Sequence, residues 1–115
     1  MPSVVETLLE TARADTDLLG KNDELGDVLT VSREVEFLMF APTEAKAQLV
    51  ASFINGNRYG DAAAESSDDR HAVRVLIDMP ITQNVLCSVS GLMACIGHIF
   101  DIDYDGWETE LRRRT

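Results

Sequence analysis

The spacing of apolar positions changes several times along the chain, and each change marks an element. Val5, Leu8, Leu9, Ala12 and Leu19 recur at helical spacing behind Ser3, and Glu6 stands three residues after that serine. A serine and a glutamate so placed can each bond the other's free backbone N–H. A first helix is therefore expected over 4–19, with Gly20 as its stop. The polar stretch from Lys21 to Asp27 reads as a loop. From Val28 to Phe40 the period falls to two. Leu29, Val31, Val35, Phe37 and Met39 share one face of the expected strand, and Ser32, Glu34 and Glu36 share the other. Leu38 and Phe40 break the polar face at its far end and would need a cover.

Pro42 and Thr43 open a second helix through Asn55, with Leu49, Val50, Phe53 and Ile54 as its apolar stripe and Gly56 as its end. Arg58 to Glu65 (R-Y-G-D-A-A-A-E) makes a poor strand, and Ser66 to Arg70 a turn. His71 to Met79 makes a strong strand, with Val73, Val75, Ile77 and Met79 inward. Thr82 caps a third helix to Phe100, whose stripe is Val85, Leu86, Val89, Leu92, Met93, Ile96, Ile99 and Phe100. Over 101–111 Asp101, Asp103 and Asp105 alternate with Ile102 and Tyr104, as in a last strand.

The order is a helix, then β-α-β-β-α-β, the split βαβ unit. The expected fold is an α+β, ferredoxin-like sandwich with a four-stranded antiparallel sheet in the order 4-1-3-2. The first and third strands are the most apolar, as central strands should be, and the second and fourth are charged, as edges should be. One domain over 1–115 is expected: helix and loop over 1–27, sandwich over 28–111, basic tail over 112–115.

Charge narrows the choice of partners. The chain carries 20 acids against 10 bases, a net of −10. Arg112, Arg113 and Arg114 are three of those bases, so residues 1–111 hold seven bases against 20 acids, a net of −13. Such a surface repels nucleic acid and acidic membranes and attracts a basic protein segment. Cys87 and Cys95 are too far apart on one helix to form a disulfide, and reduced thiols suit the cytoplasm. The start M-P-S-V-V-E lacks the basic region of a signal peptide. Met79 to Phe100 contains no Asp, Glu, Lys or Arg. Its periodic apolar residues and many small polar ones suit a buried or interface helix better than a membrane span. An uncharged helix could also bury its back against a second copy of the chain, with Cys87, Ala94 and Cys95 off the main stripe.

Candidate chemistry is sparse. D-I-D-Y-D-G opens like an EF-hand calcium loop, but the twelfth position, which must supply a bidentate glutamate, is Arg112. Cys95 and His98 are neighbours on a helix, yet Cys87 is too far to complete a metal site. S-V-S-G at Ser88 to Gly91 lies inside a helix and is no nucleophile elbow. No catalytic, metal or cofactor residues are assigned. The candidate partner-binding residues are Trp107, Tyr104, Asp101, Asp103, Asp105 and Glu108 on the last strand, with Leu38 and Phe40 on the first. Tryptophan is enriched among binding hot spots, and an acidic edge beside it suits a basic peptide.

The segment Y-D-G-W-E-T, Tyr104 to Thr109, resembles the Y-D-G-W-[EG]-T that closes the sandwich of the regulators of ribonuclease E activity B, the RraB family. The entry Leu29, Thr30, Val31 and the order of elements are similar too. The resemblance implies a ferredoxin-like α/β sandwich with no catalytic site and no obligatory cofactor. It implies a protein that binds the non-catalytic scaffold half of ribonuclease E and restrains RNA decay. The alternatives are a homo-oligomerising structural module of the same fold, or a small-ligand domain.

Overall fold

A computed structural model describes residues 3–112, and the elements follow the expected order. Helix α1 (Val4–Glu24) precedes strand β1 (Arg33–Ala41), helix α2 (Glu44–Gly56), strands β2 (Asp61–Ser67) and β3 (Arg70–Met79), helix α3 (Gln83–Phe100) and strand β4 (Asp103–Thr109). The strands form one antiparallel sheet in the order β2-β3-β1-β4, so the two apolar strands are central. Helices α2 and α3 pack on one face of it, and α1 lies along α3. Val35, Phe37 and Met39 of β1 and Val73 and Val75 of β3 meet Val50, Ile54, Leu86 and Met93 of the helices with no exposed surface. Each such side chain contributes about 1.5–3 kcal/mol by leaving water.

The first departure from the sequence pattern lies between α1 and β1. The helix passes Gly20 and ends at Glu24. A glycine inside a helix costs only about 1 kcal/mol, too little to end one that gains bonds by continuing. The chain turns instead at Gly26, whose φ of 85° suits glycine. Strand β1 then starts at Arg33, five residues later than the alternation suggested. Residues 28–32 have other partners: Val28 N–H donates to the Arg112 carbonyl at 2.8 Å, Ile81 N–H to the Leu29 carbonyl at 2.9 Å, and Val31 N–H to the Val28 carbonyl at 3.1 Å. Leu29 still packs on the core, but Val31 is 40% exposed.

Arg33 explains this arrangement. It occupies an inward position of β1, and neither its side chain nor that of Asp27 has exposed surface. Its Nη1 donates to Asp27 Oδ1 at 2.7 Å, to Oδ2 at 2.8 Å and to the Glu110 carbonyl at 3.3 Å. Its Nη2 donates to the Val28 carbonyl at 2.7 Å and its Nε to the Val31 carbonyl at 3.0 Å. Asp27 also accepts from Arg112 N–H and from Asn22 Nδ2. The connection wraps around a buried ion pair and ties itself to the chain beyond β4.

Elsewhere the differences are smaller. Ala47 and Ala51 join Val50 and Ile54 on the inward side of α2, and Leu49, expected in its stripe, is 54% exposed. Ile99 is likewise rotated out of the α3 stripe, at 71% exposure. Thr43 caps α2 through a bond from Lys46 N–H, whereas Thr82 holds the cap position of α3 with no side-chain bond. Strand β2 starts three residues later and ends two residues later than expected, and turns into β3 through Asp68 and Asp69, with Asp68 at a φ of 52°. Asn55 of α2 bonds both the N–H and the carbonyl of Ala62, each at 2.8 Å, on the side of β2 away from β3. The expectations for Arg113, Arg114 and Thr115 lie outside the described residues.

Removing one member of the buried pair strands the other. Asp27→Ala is expected to lower the unfolding free energy by about 3–5 kcal/mol, read as a fall in urea midpoint at unchanged slope.

Candidate functional site

The residues expected to form an acidic, tryptophan-bearing rim are divided between the two faces of the sheet. Along β4, Glu108 lies opposite Glu36, Trp107 opposite Phe37, and Gly106 opposite Leu38. The register then shifts, so that Tyr104 lies opposite Met39 and Asp103 opposite Phe40. The extra residue is accommodated at Asp105 and Gly106, where Gly106 takes a φ of 102° that a side chain would disfavour. A bulge reverses the alternation beyond it. Tyr104 and Trp107, three apart, therefore both turn toward the helices.

Trp107 is not part of an exposed rim. It is 8% exposed, and its Nε1–H donates to Asp15 Oδ1 on α1 at 3.0 Å. Unbroken alternation would have placed it with Asp103 and Asp105. Tyr104 is half-buried, its hydroxyl 2.7 Å from Ser90 Oγ, and burial pushes its phenol above the usual range. Asp101 has left the strand altogether: it is the C-cap of α3, in the left-handed region at a φ of 56°. Asp103, Asp105 and Glu108 are exposed. Leu38 and Phe40 lie on the face opposite the helices, as their phase required, and are half-buried there. Arg70 covers Phe40, its guanidinium carbon 4.5 Å from the ring centre.

That open face has residues the strand-by-strand reading did not single out. The register places Glu34 and Glu36 of β1, Asp78 of β3, Asp61 and Glu65 of β2, and Asp103 and Glu108 of β4 on it, seven carboxylates facing two guanidinium groups, Arg70 and Arg74. Arg74 bonds Glu36 and Glu65, each at 2.7 Å. Glu36 and Glu108 lie directly across from each other, an unfavourable placement for like charges. The Arg74 guanidinium, and then Glu108, hold the Glu36 carboxyl below its ordinary value. Glu108 takes the opposite shift: its hydrogen bond to Glu36, and the charge there, raise it. Beside the pair is a shallow groove of about 550 Å³ that also reaches Glu34, Leu76 and Glu110, the last already paired with Arg112 at 3.2 Å on the groove's wall. Such a groove can hold an ammonium or guanidinium group, with Leu76, and Leu38 on the other side of Glu36 and Glu108, receiving its aliphatic stem. The strand order was the signal that could have found it, because it makes β1 and β4 neighbours and sums their outward acids.

A family model described as "RraB: Regulator of ribonuclease activity B" matches residues 12–109. The chain belongs to the RraB family. Its general function is thus the regulation of a ribonuclease, a protein partner. The match to RraB takes in the second half of α1, with Asp15, and the whole sandwich through Thr109. In this RraB chain the segment Y-D-G-W-E-T encodes the bulge and both inward aromatic residues. No curated protein matches the chain.

The pair of opposed glutamates has a pH signature. Glu108 has a raised folded value, so the cost of ionising it appears as pH climbs through that value. Glu108→Gln is expected to raise the urea midpoint near pH 7, and the gain should vanish as pH falls below the folded Glu108 value, where that carboxyl of the parent is protonated.

Proposed function

We propose that this chain restrains its ribonuclease by holding a basic segment of that enzyme along the open face of the sheet. The partner expected is the non-catalytic scaffold region of ribonuclease E. The observation that carries the reading is a sheet face free of described helices that combines seven carboxylates with the half-buried Leu38, Phe40 and Leu76. A cationic segment laid across it would relieve the repulsion between Glu36 and Glu108 and bury apolar stems beside them. The same charge argues against direct contact with RNA, since phosphate would be repelled. The role needs no catalytic group and no cofactor, and the free thiols of Cys87 and Cys95 suit action in the cytoplasm.

A second reading rests on a different observation. Leu49 on α2 and Ile99 on α3, 54% and 71% exposed, are apolar groups that a second copy of the chain would cover. Sedimentation tests it: self-association that Ile99→Asp abolishes supports it, and a monomer at millimolar concentration removes it.

The main reading is tested by titrating the chain with the scaffold half of ribonuclease E at several salt concentrations. Affinity should fall steeply with salt. The double substitution Glu36→Gln, Glu108→Gln should weaken it about tenfold or more, the loss of charge-assisted contacts of roughly 1.5–3 kcal/mol. Charge-neutralised α1 (Glu10→Gln, Asp17→Asn) should bind as the parent does. Equal binding by the parent and the Glu36, Glu108 variant would remove the surface from consideration.

A further inference from the structure

Helix α1 is held by little for its length. Of its 21 residues only Asp15 and Leu19 are buried, while Val4, Val5, Leu9 and Leu18 are 40%, 67%, 54% and 37% exposed. It lies on the small-residue side of α3: a Cβ on Gly91 would come within 3.6 Å of Leu8 Cδ2. Leu19 supplies the apolar anchor and Asp15 the polar one. Asp15 is 4% exposed. Its Oδ1 accepts the indole N–H of Trp107, and its Oδ2 is buried without a hydrogen-bond partner. A charged carboxylate with a bare oxygen is costly in such a place, and a protonated one is not.

We propose that α1 is a proton-controlled strap: with Asp15 protonated it lies closed over α3 and Trp107, and with Asp15 ionised it loosens and uncovers the uncharged flank of α3. The device is separate from the acidic open face and stands whether or not that face binds a ribonuclease. Burial raises the Asp15 carboxyl, and the nearby Ser90 hydroxyl, itself paired with Tyr104, and the indole N–H of Trp107 offset part of that rise. The titratable groups that feel its charge are Cys87 on α3 and Tyr104 on β4, both raised by burial first and by Asp15 as well. The folded value of Asp15 lies above its unfolded one, so the closed strap is favoured most at low pH and loses that advantage as pH rises through the folded value.

Hydrogen exchange and tryptophan emission on the full chain test this directly, because Trp107 is the single tryptophan and touches Asp15. In the parent, protection of α1 amides, corrected for intrinsic rates, should fall as pH rises, by up to about tenfold per pH unit. Trp107 emission should shift to the red in step, and β1 and β3 should keep their protection. Asp15→Asn keeps an acceptor for the indole and carries no charge, so its α1 should remain closed and pH-independent. Leu19→Ala should leave the strap open at every pH on an intact sheet. Two results overturn the proposal: an Asp15→Asn profile that follows the parent's, or α1 amides that exchange together with β1 and β3 in all three proteins at every pH.

Discussion

The ion pair between Arg33 and Asp27 decides where this chain can begin its sheet. Both side chains are closed off from water, so each charge must be matched from within the protein, and it is: the guanidinium meets the carboxylate and three backbone carbonyls. Those carbonyls belong to Val28, Val31 and Glu110, so satisfying the arginine fixes the path of the connection after α1 and of the chain after β4 together. The connection cannot also be strand. An unpaired arginine at that depth would cost more than the few ladder bonds a longer β1 would gain.

Much of the architecture was legible because the period of the apolar residues changes where the elements change. The order of elements supplied the strand order through the split βαβ unit, and the greater apolar content of the first and third strands agreed with it. What escaped the reading was local. Arg33 sits in phase with Leu29, Val31, Val35 and Phe37, and a charge in phase with an apolar face was the sign that the face was interrupted there. Gly106, inside a strand pattern, was the corresponding sign of a bulge. One extra residue moves an indole from one side of a sheet to the other, and a pattern with period two cannot register it. Leu49 and Ile99 were assigned inward by spacing alone, which does not say how wide a stripe the neighbouring elements cover.

β4 faces two environments through adjacent residues. Glu108 looks outward across to Glu36, and Trp107, one residue earlier, looks inward to Asp15 on α1. The same short segment thus contributes to the proposed partner surface and to the attachment of the N-terminal helix. Both sites are carboxyl groups in unfavourable company: a like charge on one side, a dry interior on the other. In each the protein keeps an electrostatic cost that a more stable sequence would remove, which is the expected mark of a position retained for what it does.

The amide of Asn55 has a wider consequence. By bonding the N–H and the carbonyl of Ala62, it stands where the next strand of a larger sheet would have to attach. The flank is thereby blocked at Ala62, near the start of β2, like a ladder with one rung already taken. A regulator of a ribonuclease is lost to its target if it polymerises edge to edge, and a single amide obstructs one of the two flanks on which such chains could grow.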